Sequence, residues 1–141
     1  MRIKAVLFDL DGTLLPMDQE TFTKGYFGLL AAKTAPLGYD PKKLIDAIWS
    51  GTAAMVKNDG KETNENAFWR KFSEIHGADA RADRAVFDDF YRVDFQRAID
   101  YCAPTEKARF VVHEIKRLGF RTILATNPIF PAIATESRIR W

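Results

Sequence analysis

Two carboxylates one residue apart, Asp9 and Asp11, close an apolar run that starts at Ile3, and Gly12-Thr13 follows at once. Carboxylates this close repel one another, so holding both ionised calls for a bound cation or a shared proton. One of the pair can act as a nucleophile or a metal ligand, with its neighbour at i+2 as general acid and base. Gly12 permits a tight turn and close approach of a ligand to the backbone. Far along the chain, a hydroxyl and an amide, Thr126 and Asn127, end a second apolar run and can bind anionic oxygens. A hard cation such as Mg²⁺ takes oxygen ligands and neutralises phosphate charge. Together these groups suit phosphoryl transfer.

Plainer readings exist for each. Asp-x-Asp-Gly also suits a surface turn. An EF-hand calcium loop places glycine sixth and follows a helix, whereas here glycine is fourth and a strand-type run precedes it. Thr126-Asn127 alone could be a strand-to-turn signal. His76 beside Gly77, and His113 on a charged helix face, read as helix-end and surface residues, without partners at metal-ligand spacing. Cys102 reads as a packing residue, and Lys57, Lys61 and Arg70 as solvated helix ends rather than substrate contacts.

The elements that must position these groups follow from apolar spacing. Ile3 to Phe8 reads as a strand buried on both faces of a parallel sheet, with Asp9 and Asp11 at its carboxyl end, where such sheets bind ligands. From Asp18 to Asp100 the pattern gives four amphipathic helices and no strand. The first is capped by Asp18 and carries Phe22, Tyr26, Leu29 and Leu30; the second starts at Asp40-Pro41 and carries Leu44, Ile45, Ile48 and Trp49. A third, capped by Thr63 or Asn64, carries Phe68, Trp69, Phe72 and Ile75. The fourth starts near Asp79 and runs through Val86, Phe87, Phe90, Tyr91 and Phe95. Stripes of this kind suit a small helical bundle with its own core. Pro104-Thr105 restarts a helix with Ala108, Val111, Val112, Ile115 and Leu118 inward; Arg121 to Thr126 is a second buried-type strand, broken by Pro128. A last helix runs from about Pro131 to Trp141.

A chain of 141 residues, 47% apolar and 28% charged, has the make-up of a globular domain rather than a disordered one. Its net charge of +2, with acidic and basic residues interspersed, offers no basic face for a nucleic-acid backbone. One cysteine excludes an internal disulfide framework and points to a reducing, cytoplasmic setting. The N-terminal apolar run stops at Asp9, too early for a signal peptide or membrane span.

Phe8-Asp9-Leu10-Asp11-Gly12-Thr13-Leu14 resembles the first motif of the haloacid dehalogenase superfamily of phosphohydrolases, and Ala125-Thr126-Asn127 resembles its second. Tyr101 to Asn127 is similar to the segment that leads into that second motif. The helices between the motifs resemble the cap of the subgroup that includes phosphoglycolate phosphatase and β-phosphoglucomutase. The resemblance implies an α/β fold: a Rossmann-like, doubly wound parallel core over residues 1–15 and 101–141, with an α-helical cap inserted over 16–100. It implies that Asp9 is the nucleophile that forms an aspartyl-phosphate and ligates Mg²⁺. Asp11 would be the general acid and base, with its backbone carbonyl on the metal. Thr126, the amide of Asn127 and the backbone around Leu10 would hold phosphoryl oxygens. The expected substrate is a small phosphorylated metabolite, with a phosphomutase as the alternative.

The family's third and fourth motifs, a lysine and an acidic cluster, follow the second by a considerable stretch and have no counterpart before Trp141. Arg138 and Arg140 are not taken for that lysine, since both lie on the helix immediately after Asn127. Two strands alone make an incomplete sheet. The expectation is therefore a core whose further strands lie beyond Trp141, or one that self-associates through unpaired sheet edges. A non-catalytic remnant or interaction module is the reading from another class.

Overall fold

The computed structural model describes residues 3–127 and 129–141, so Pro128, read above as the strand breaker, lies outside the described residues. Strand β1 (Ala5–Phe8) pairs in parallel with β2 (Arg121–Leu124), from Ala5 against Arg121 to Phe8 against Leu124. The amide of Ala125 donates to the Phe8 carbonyl at 2.7 Å, so the two segments stay side by side as they leave the sheet. Helix α5 (Glu106–Arg117), capped by Thr105, lies against β2. Parallel strands joined through helices are compatible with the α/β class.

Burial of the sheet differs from the sequence expectation. Leu7 is 62% exposed, and Ile3, Ile123 and Leu124 are exposed as well. Val111 of α5 and Leu118 at its C-terminal cap also face solvent, leaving Ala108, Val112 and Ile115 half-buried. The physical reason is cover. A strand of a parallel sheet is buried when helices lie on both faces, and among the described residues α5 is the helix with extensive contact to this pair.

Local chemistry sets the helix ends. Helix α1 (Gln19–Thr34) starts where the Asp18 carboxylate accepts from the Thr21 amide at 2.8 Å. After it, Ala35–Leu37 forms a 3₁₀ turn. Asp40 caps α2 (Pro41–Val56) from the Lys43 amide at 2.8 Å, with proline in the first turn, where its missing N–H costs nothing. Thr63 caps α3 (Asn64–His76), and Gly77 follows its end. The fourth predicted helix is broken: a 3₁₀ turn at Ala78–Arg81, α4 (Arg84–Arg92), then a 3₁₀ stretch over Asp94–Tyr101. In that last stretch Phe95, Ala98 and Tyr101 recur every third residue, which lines them on one face of a three-per-turn helix. Phe95 and Ala98 are thereby fully buried.

Helix α2 packs along α3, and α1 along the Asp94–Tyr101 stretch. Their interior is aromatic, with Phe72, Phe90 and Phe95 fully buried. Rings meet mostly edge to face, as Trp69–Phe87 does at 5.4 Å, the arrangement their quadrupoles favour. Trp49, expected inward, is 52% exposed. The cluster is not confined to the insert, because Ala134 of α6 (Ala132–Arg140) belongs to it and Phe130 and Trp141 pack against it. Gln96 donates to the Ser137 hydroxyl at 2.9 Å, a polar tie between insert and α6. No helix among the described residues is long and apolar enough to cross a membrane.

Helix α1 holds two glycines with opposite surroundings. A Cβ on Gly25 would run into the ring of Tyr101, whereas one on Gly28 would meet nothing within 4 Å. Gly28→Ala should therefore stabilise the fold by about 0.5–1 kcal/mol through reduced chain entropy. Gly25→Ala should destabilise it by about 1–3 kcal/mol through overpacking. Urea denaturation midpoints check both; equal shifts of the same sign would show that Tyr101 does not press on α1 as described.

Candidate active site

The turn after β1 is closed by its own backbone. Leu10's carbonyl accepts from the amides of Thr13 at 3.1 Å and Leu15 at 2.8 Å, and Gly12 donates to the Leu15 carbonyl at 2.9 Å. Gly12 sits at φ +78°, a left-handed conformation that a Cβ resists. Leu10 and Leu15 anchor the turn from beneath, each 3% exposed. With Leu10 inward, the strand alternation carries Asp9 outward to the exposed carboxyl end. Its carboxylate accepts from the Thr13 hydroxyl at 3.3 Å.

Asp11 has a different environment. It is half-buried and lies 3.5 Å, Oδ1 to Nε, from the guanidinium of Arg138. Burial pushes its carboxyl above the usual range, opposed by Arg138 and reinforced by the charge of Asp9. Arg138 itself is 1% exposed and stacks over the Phe130 ring at 4.3 Å. Neither its Nε and Nη1 nor Asp11 Oδ1 has a hydrogen-bond partner. Cys102 stands close by, its thiol pushed up to about 11 chiefly by burial, which leaves little thiolate near neutrality.

Thr126 and Asn127 leave β2 at the same sheet edge at which Asp9 leaves β1, Thr126 half-buried and Asn127 exposed. The fold therefore brings Asp9, Leu10 and Asp11 together in one turn and sets Thr126 and Asn127 on the neighbouring strand end. It also adds Arg138, which the sequence reading set aside. The available signal was its spacing. Ala134, Ser137 and Arg138 share one helical face at i, i+3 and i+4, and all three are buried.

The donor set suits a hard divalent cation. Asp9 is an accessible carboxylate at the strand end, and the backbone of Asp11 lies in the same turn two residues on, its side chain turned to Arg138. Mg²⁺ is ordinarily held by one or two protein carboxylates together with water and substrate oxygens. Among the described residues, no three His, Cys, Asp or Glu side chains group as a ready-made metal cage.

A family model for haloacid dehalogenase-like hydrolases matches residues 3–135, nearly the whole chain, and the chain belongs to that family. No curated protein and no solved structure matches it. Membership makes the protein a hydrolase by family and gives the strand-end carboxylates a setting in phosphohydrolase-type chemistry.

Replacing Gly12 tests the turn that holds both carboxylates. Gly12→Ala should lower stability by about 1–2 kcal/mol, the cost of a Cβ at positive φ, and Gly12→Asn by less, since asparagine tolerates this region. Chemical denaturation reads both; an Ala variant as stable as the parent would mean that the turn does not depend on this conformation.

Proposed function

We propose that the protein is a Mg²⁺-dependent phosphatase of a small phosphorylated metabolite, working through an aspartyl-phosphate on Asp9. In this reading residues 1–15 and 101–141 are the α/β core, and residues 16–100 are a helical cap over the site. The observation that carries it is the contrast between the two carboxylates. Asp9 is exposed at the strand end, while Asp11, two residues on, is half-buried against Arg138. Paired carboxylates in unlike environments divide into nucleophile and acid–base.

Asp9 attacks the phosphorus of the ester, forming a new O–P bond as the bond to the leaving oxygen breaks. Asp11 gives its proton to that oxygen, and the alcohol departs. Asp11, now a carboxylate, takes a proton from water as the water attacks the same phosphorus. The Asp9–phosphate bond breaks, releasing phosphate and restoring both carboxyl groups. Thr126, the Asn127 amide and the backbone around Leu10 donate to the phosphoryl oxygens and hold them in line. The Thr13 hydroxyl orients Asp9 through the bond described above. Mg²⁺, held by the Asp9 carboxylate and the Asp11 carbonyl, would supply neutralisation of phosphoryl charge.

The test is hydrolysis of p-nitrophenyl phosphate with and without Mg²⁺. Activity should disappear on chelation with EDTA, return with Mg²⁺, and fall by roughly 10³-fold or more in Asp9→Asn. An Asp9→Asn variant with unchanged kcat would overturn the nucleophile assignment.

A further inference from the structure

Between the helices and the turn lies a cavity of about 290 Å³. Phe22, Phe27, Trp49, Phe68 and Phe130 supply aromatic walls, and Asp11 and Arg138 both line it. Asp9 does not line it, so the cavity opens on the Asp11 side of the site. Its rings are braced against one another, Phe27 on Trp49 at 5.7 Å and Phe22 on Phe130 at 6.4 Å, edge to face. Arg138 is sealed from solvent, and its Nη2 reaches the Thr135 hydroxyl at 3.4 Å, while its Nε and Nη1 have no partner. Leaving N–H groups of a buried guanidinium unpaired is costly, and a guanidinium is the side chain best shaped to take an anionic oxygen in their place.

Resting on the phosphatase reading, we propose that this cavity takes the organic part of the ester and that this part is compact and apolar, aryl-bearing rather than a polyol, with Arg138 donating from Nε and Nη1 to an ester oxygen. The leaving oxygen must lie beside the group that protonates it, Asp11, and Asp11 lines this cavity. The lining is predominantly aromatic and rewards a flat apolar group, while Gln19, Thr23 and Thr52, which also line it, are too few to partner the several hydroxyls of a sugar. The volume suits a phenyl ring with a short spacer, since apolar cavities of roughly 150 Å³ already accept benzene.

Binding to the full chain separates this from the phosphatase reading, because it needs no turnover. The probes are two non-hydrolysable phosphonates, 2-phenylethylphosphonate and 3,4-dihydroxybutylphosphonate, titrated calorimetrically in the presence of Mg²⁺. The phenyl compound should bind about tenfold or more tightly than the diol. Trp49→Ala, a change at a half-exposed side chain that leaves the fully buried cluster intact, should reduce that preference to about twofold. Arg138→Met should weaken both ligands, with Arg138→Lys recovering part of the loss; circular dichroism confirms that each is folded. Should Arg138→Met unfold, the Trp49→Ala comparison still decides. Equal or tighter binding of the diol, or a preference unmoved by Trp49→Ala, would overturn the proposal. Phenyl preference without hydrolysis of any phosphate ester would instead sink the phosphatase reading and leave the ligand class standing.

Discussion

The buried guanidinium of Arg138 ties the architecture of the site together. Removing such a charge from water costs several kcal/mol unless it is paired, and the carboxylate within ion-pair reach of it is Asp11, at 3.5 Å. This one contact joins the turn after β1 to the C-terminal helix. The Phe130 ring beneath the guanidinium extends the link into the aromatic cluster. Asp11 is thus held between opposing influences: burial and the Asp9 charge raise its proton affinity, and Arg138 lowers it. A group balanced in this way can carry a proton to a leaving oxygen and take one back.

The aromatic cluster gives that arrangement its rigidity. Three fully buried phenylalanines, Phe72, Phe90 and Phe95, make the insert a packed body rather than a loop, and truncating a buried phenylalanine typically costs about 3–5 kcal/mol. Tyr26 and Tyr91 share a hydrogen bond of 2.8 Å inside it, and burial pushes the Tyr91 phenol to about 12, so both stay neutral across the working pH range. Lys33 bridges Asp89 at 2.6 Å and Asp94 at 2.9 Å, pinning α1 to the end of α4 and the start of the 3₁₀ stretch. The sheet is the contrasting case: four paired residues a strand, with Leu7 in solvent.

Features with a local cause were legible in the sequence. Asp18 and Asp40 cap the helices expected of them, and Thr63 takes the cap left open between Thr63 and Asn64, because a short side-chain oxygen beside free amides needs no distant partner. The carboxyl end of the first strand was legible for the same reason, whereas the second stops at Leu124, two residues short of the expected Thr126; the family match spans both motifs. What depended on tertiary partners was not legible. The break after Arg92 carries no proline or glycine; it arises where Phe95 and Ala98 bury at a spacing of three. Leu7 looked inward by spacing and is exposed because its face of the sheet has little cover among the described residues, and Trp49 stands half exposed at the cavity, beside Phe27. Arg138 looked like an ordinary charged helix residue until the fold laid its face against Asp11.

In the proposed mechanism Asp9 is the group that accepts the phosphoryl unit. Beryllofluoride, which binds carboxylates as a phosphoryl mimic, tests it directly by ¹⁹F NMR. Bound resonances are expected that require Mg²⁺ in the parent chain and vanish in Asp9→Asn. Bound resonances that persist in Asp9→Asn, or their absence from the parent chain at saturating Mg²⁺ and beryllofluoride, would contradict it.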